Sequence, residues 1–197
     1  MTSTNNPKRR TLMMALSGLT LSSAADAAPP VASSKEDQPH TLVVFFTRSG
    51  NTRVIAELLQ RTLGSSIIEI HPATPYPADY LQTVDRATRE RDNNIEPQLA
   101  CSVGNLSQFD AIYLAFPIWG ETVPAVIRTF LATHDLAGKR LIPIVTHGGY
   151  GLGNSMEVLK KYAPKARLET GFTMEADQER RTMNQVLGWL KQHEAAS

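Results

Sequence analysis

Residues 46–52 read Phe-Thr-Arg-Ser-Gly-Asn-Thr, and almost every side chain in that stretch can donate a hydrogen bond. Thr47, Ser49 and Thr52 bring hydroxyls, Asn51 an amide and Arg48 a guanidinium. The stretch follows the apolar run "TLVVFF" and precedes the helical pattern "RVIAELLQRTL". The start of a helix carries unpaired backbone N–H groups and a partial positive charge. A phosphate suits that environment. Gly50 lets the backbone approach an anion without a Cβ in the way. N-capping by Ser49 or Asn51 would use one of these groups. It leaves the other hydroxyls and the Gly without a purpose. The pattern is neither G-x-G-x-x-G nor G-x-x-x-x-G-K-[ST], and no Lys follows, which disfavours nucleoside triphosphate chemistry.

Two further stretches could form a ligand site. The first, "AFPIWGETVP", contains Pro117, Ile118, Trp119 and Gly120, and a Trp in such a loop offers a large flat face to a ring. The same Trp could instead pack on its own domain. The second, "THGGYGLGNS", contains Thr146, His147, Gly148, Gly149, Tyr150 and Gly151. A loop with so little side-chain bulk can present several N–H groups to the polar edge of a ring. His147 is either a ring contact or a plain loop residue. Two aromatics and an anion cradle together describe a ligand with a planar ring and a phosphate tail. No catalytic residue is assigned, because Glu121, His134 and His147 are scattered in the sequence. The single cysteine, Cys101, excludes an internal disulfide and a cysteine-rich metal site, and is expected as a small buried hydrophobe.

The elements that must position these loops alternate along the chain. "TLVVFFT", "SSIIEIH", "FDAIYLAFP", "KRLIPIVTH" and "ARLETGFTM" read as five strands. The first and third are apolar without clean alternation, as strands buried on both faces are. Between them lie helical patterns over 52–63, 77–93, 123–134 and 153–163, and a closing helix spans 177–193. Gly64 stops the first helix, and Pro72, Pro75 and Pro77 forbid a helix before Tyr80. In the second helix Tyr80, Leu81, Val84 and Ala87 form a thin apolar stripe, with Arg86, Arg89, Glu90, Arg91 and Asp92 as a solvated face, the alternative being a partner surface. Strand–helix alternation predicts an α/β fold, a doubly wound five-stranded parallel sheet with helices on both faces. Ligands of such sheets bind outside the carboxyl ends of the strands, so the loops after strands one, three and four are the ones that matter.

The first 40 residues have a different character. "NNPKRR" is basic, "TLMMALSGLTL" is moderately apolar, and Ala25-Asp26-Ala27 has the form of a cleavage site. Residues 1–27 therefore read as an export signal and 28–40 as a linker, leaving 41–197 as the domain. Arg9-Arg10 resembles the twin-arginine type, the alternative being an ordinary secretory signal. The apolar run is too short for a permanent membrane span. Periplasmic or other exported localisation is expected. The whole chain has a formal net charge of +1, and without Lys8, Arg9, Arg10 and Asp26 it retains 17 basic and 18 acidic residues, a net of −1. Neither value suggests a nucleic-acid partner.

Over residues 41–192 the sequence resembles the flavodoxins. Their first loop follows [Ser/Thr]-x-[Ser/Thr]-Gly-x-Thr, and Thr47-Arg48-Ser49-Gly50-Asn51-Thr52 fits it. The resemblance implies FMN, with its phosphate in that loop and its ring between Trp119 and Tyr150. It implies electron transfer to a redox partner protein or a small acceptor such as a quinone. A carrier is favoured over a small FMN-dependent NAD(P)H:quinone-type reductase because no separate NAD(P)H motif is visible. A fold that has lost FMN and acts as a binding module is the non-redox alternative. The near-neutral charge and the export signal both depart from the usual acidic, cytoplasmic carrier.

Overall fold

The computed structural model describes residues 40–175 and 179–195. The expected leader (1–27) and all of the linker but His40 lie outside the described residues. The elements are β1 (Thr41–Phe45), α1 (Asn51–Leu63), β2 (Ser66–Glu69), α2 (Tyr80–Asp92), β3 (Ala111–Pro117), α3 (Ala125–Thr133), β4 (Arg140–His147), α4 (Ser155–Tyr162), β5 (Arg167–Leu168), β6 (Phe172–Glu175) and α5 (Glu179–Ala195). All strand pairs are parallel, in the order β2-β1-β3-β4-β5, with β6 also on β4. The fold is the doubly wound parallel α/β sheet that the alternation predicts, in the flavodoxin-like order that the resemblance implies.

The central strands bury both faces, which explains their unbroken apolar sequences. Leu42 and Val44 of β1, Ile112, Leu114 and Phe116 of β3, and Leu141 and Val145 of β4 enter one core, against Val126, Ile127 and Phe130 of α3 and Leu159 of α4. The alternate residues Val43, Phe45, Tyr113, Ile142 and Ile144 enter the other, against Ile55, Leu58 and Leu59 of α1 and Val186 and Leu190 of α5. Each fully buried Leu or Ile contributes about 1.5–3 kcal/mol by leaving water. The 3.6-residue spacing in α1 is what lays Ile55, Leu58 and Leu59 on one stripe.

Three expectations need correction. The single fifth strand is two short segments, separated by residues 169–171. The cause is Pro143 in the middle of β4. The Glu169 N–H donates to the Leu141 carbonyl at 3.0 Å, so the odd-numbered residues of β4 direct their polar groups towards the fifth strand. At that place Pro143 has no N–H to give. Pairing breaks there and resumes at Ile144↔Phe172.

The second correction is α2. Tyr80, Leu81 and Val84 are exposed, and the buried side chains are Thr83 and Glu90. Glu90 accepts from the Tyr76 hydroxyl and from Arg86 Nε, both at 2.7 Å. Arg86 also donates to the carbonyls of Thr74 and Pro75 at 2.9 Å. A buried carboxylate is tolerable because these partners satisfy it. The helix thus docks through polar groups, which no hydrophobic periodicity reveals. Third, Cys101 is exposed. It lies in the irregular segment between α2 and β3, where no strand or helix carries it into either core.

Candidate functional site

Because the sheet is parallel and β3 lies between β1 and β4, the loops after these three strands leave the same edge side by side. The strand order turns back on itself between β1 and β3, since β1 connects outward to β2 and the chain then returns to β3 on the other side, and ligands of such sheets sit at that switch point.

The first loop turns on Gly50, whose φ of 95° is left-handed and which has open space where a Cβ would stand. Its N–H donates to Thr47 Oγ1 at 3.0 Å, closing the turn. The N-cap residue of α1 is Gly50, which has no side chain to cap it, and among the described residues neither Ser49 nor Asn51 uses up the helix N-terminus. Ser49 and Arg48 are exposed. Arg48 donates to the Ala78 carbonyl at 2.8 Å and lies over the Tyr80 ring at 5.8 Å. Thr52 is wholly buried, and its hydroxyl lies 2.9 Å from that of Thr146. The outward donors are therefore fewer than the sequence suggests: the α1 backbone, Ser49, Asn51 and Arg48.

The second loop begins as Pro117 ends β3, and Ile118 N–H donates to the Thr146 carbonyl at 2.8 Å. Trp119 and Thr122 then pair through both backbone bonds, at 3.1 and 3.4 Å. Gly120 and Glu121 between them both have positive φ, 57° and 64°. That is the pattern of a tight I′ hairpin turn. The Trp119 ring meets Phe46 at 5.2 Å and Tyr76 at 4.8 Å, both edge-on. Partly buried Trp119 is thus held by aromatics at a fixed tilt.

The third loop follows β4. Thr146 is buried on Thr52, and His147 Nδ1 accepts the Gly149 N–H at 3.1 Å. Gly148 and Gly149 are exposed, and Gly151 is half-buried. Tyr150 is 71% exposed, so its ring is free to stack. The loop is tied to the second one: Asn154 N–H donates to the Glu121 carbonyl at 3.0 Å. A Cβ on Gly153 would run into that same carbonyl, so only Gly permits the approach.

Sequence reasoning missed Phe46, Tyr76 and Glu121. The first two back the Trp119 ring, and the third forms the turn. The signal for Tyr76 was its place between Pro75 and Pro77, in a loop too rigid to be filler. Burial, reinforced by the Glu90 hydrogen bond, pushes its hydroxyl well above the usual tyrosine range, so it stays a donor. His134 is structural, accepting the Val103 N–H at Nε2 (3.2 Å) with Nδ1 2.8 Å from the Phe130 carbonyl. Among the described residues no cluster of His, Cys, Asp or Glu could hold a metal ion, and no helix is long and apolar enough to cross a membrane.

Residues 40–193 match the family model described as Flavodoxin. The chain belongs to the flavodoxin family. No curated protein matches it. Among solved structures it is similar to a presumptive flavoprotein from Bacteroides uniformis, at 30% identity and a TM-score of 0.69, covering 78% of this chain and 98% of that one. A second presumptive flavoprotein, from Bacteroides eggerthii, is 30% identical with a TM-score of 0.68, over 78% and 96% of the two chains. A flavoprotein from Lactobacillus acidophilus in complex with FMN shares the fold at 20% identity and a TM-score of 0.60, over 74% and 99%. In this flavodoxin-family chain the open Gly50 turn and uncapped α1 fit a phosphate, and exposed Tyr150 with partly buried Trp119 fits a ring.

Proposed function

We propose that the protein is an exported FMN-binding electron-transfer protein. One observation carries this reading. An uncapped helix N-terminus, opened by Gly50 beside exposed Ser49, stands at the switch in strand order between β1 and β3, with Trp119 and Tyr150 on the loops after β3 and β4. FMN is the cofactor that such a cradle and pair of aromatics fit. When bound, it supplies the electron chemistry.

The chain's own residues then do three things. The α1 backbone, Ser49 and Asn51 hold the phosphate, and Arg48 adds positive charge at the rim. Trp119 and Tyr150 would stack on the ring, and N–H groups of the loop at 147–151, other than that of Gly149, which His147 Nδ1 takes, would face its polar edge. The Trp119–Thr122 turn and the loop at 153–154 close the site together through the Glu121–Asn154 bond. With FMN bound, the phosphate would disfavour negative charge on the ring, and Arg48 at the rim would offset part of that.

The electron acceptor is a redox partner protein or a small molecule such as a quinone. The leader-like residues 1–27 support export to the periplasm, and a twin-arginine route allows the cofactor to be inserted before transport. An absorption spectrum of the purified protein, before and after adding FMN, tests the reading. Flavin bands with quenched fluorescence are expected. A colourless protein unperturbed by FMN would leave a flavodoxin fold that binds something else.

A further inference from the structure

A second concavity, of about 430 Å3, lies between the end of α2, the Gly120–Thr122 turn, α3 and α4. That volume is in the range of small-molecule sites. None of residues 47–52 lines it, nor do Trp119 or Tyr150. Its walls carry three cations, Arg91, Arg128 and Lys161, with Asn94, Asn154 and Tyr162 as further hydrogen-bonding groups. The carboxylate on the wall is Glu121, and Glu96 holds the Tyr162 hydroxyl from beside it.

Arg128 is the unusual member. It is 7% exposed, yet among the described residues no ion pair includes it. Its Nη2 donates to the carbonyls of Glu90 (2.9 Å) and Ile95 (3.1 Å), and its Nε has no partner. Its hydrogen-bond partners are thus neutral carbonyls, and Glu96 and Glu121 nearby form no ion pair with it. Lys161 is likewise in no ion pair, and Arg91 uses its Nε on exposed Asp92 at 2.8 Å. Two non-glycine residues with positive φ, Asn94 and Glu121, shape its rim: Asn94 ends α2 in the left-handed conformation, and Glu121 forms the turn after Trp119.

We infer that this cleft binds a small oxyanion-bearing molecule, a phosphate ester or polycarboxylate, with Arg128 as the buried anchor and Arg91 and Lys161 as outer clamps. Arginine forks suit both anions in the same planar geometry, and lysine adds a point charge. The ligand's neighbour is the Gly120–Thr122 turn, whose first residue in the hairpin is Trp119. An occupant here therefore sits one turn away from the proposed ring site.

Calorimetric titration of the full chain saturated with FMN, using pyrophosphate and citrate at fixed ionic strength, tests this. FMN fills the Gly50 cradle and removes it as a competitor. Saturable one-site binding is expected for at least one anion, and the preferred one identifies phosphate or carboxylate as the ligand chemistry. Arg91→Gln with Lys161→Glu should weaken binding about tenfold or more, since charged hydrogen bonds are lost, while far-UV circular dichroism stays unchanged. Arg128→Met should abolish it. If the protein takes up no FMN, the titration compares the parent with the Arg91→Gln, Lys161→Glu protein, only the heat lost in that pair is assigned to the cleft, and a heat unchanged by it overturns the inference. No saturable heat from either anion, or binding that survives the Arg91/Lys161 pair, overturns the inference.

Discussion

The hydroxyls of Thr52 and Thr146 lie 2.9 Å apart, although 94 residues separate them in the chain. They join the first turn of α1 to the end of β4, so the phosphate turn and the Gly-rich loop share a buried strut. Thr52→Val or Thr146→Val leaves one hydroxyl buried and unpaired, at a cost of about 1–3 kcal/mol. The double variant should cost less than the sum of the two. Urea denaturation of all four proteins measures the coupling, and strict additivity would show that the strut does not exist.

Ser49→Ala should weaken FMN and leave riboflavin nearly unaffected. A hydrogen bond to a charged group contributes about 1.5–3 kcal/mol, so roughly a tenfold or greater loss of FMN affinity is expected. Fluorescence titration with both flavins checks it. Equal losses for the two would remove Ser49 from the phosphate.

Trp119→Ala should weaken FMN by about 1–3 kcal/mol through lost stacking and burial. Because Phe46 and Tyr76 pack on the indole, the unliganded protein should lose stability as well. Thermal melts with and without FMN separate the two effects. A stability loss with FMN affinity intact would make Trp119 a packing residue only.

Glu90→Ala should destabilise the fold by about 3–5 kcal/mol, because it leaves Arg86 without its buried partner. Chemical denaturation reads this directly. A loss below 1 kcal/mol would mean that α2 does not dock through this pair.

Glu169 makes a pH-dependent contribution. Its hydrogen bond from Arg140, assisted by His193, holds its carboxyl below the usual glutamate range. A depressed carboxylate stabilises the fold above its unfolded pKa, about 4.3, and that stability fades as pH falls through the lower folded value. Glu169→Gln should therefore be less stable than the parent at neutral pH and should approach it in acid. A stability difference independent of pH from neutrality to about pH 3 would contradict the assignment, given the ordinary glutamate range.

Much of this was legible in the sequence. The apolar runs of β1 and β3 and the loop order gave the sheet away, because strands buried on both faces can be written in few other ways. What stayed hidden is polar or geometric. Glu90 reads as a surface charge in "RATRERD", and only its distance to Tyr76 and Arg86 shows otherwise. The inward turn of Thr52 depends on a partner 94 residues away. The positive φ of Glu121 breaks the usual preference for Gly or Asn at such positions, so no local pattern announces it. Pro143 was in plain view, and the break it imposes follows once the direction of the β4 carbonyls is known.

That break has a consequence for how the sheet meets other chains. The β5/β6 position closes one end of the strand order, with segments of two and four residues. An outer strand of full length would offer a template on which another chain could add itself. Two short pieces with a gap opposite Pro143 present no continuous ladder, so the break leaves that margin of the sheet a poor template for an added strand.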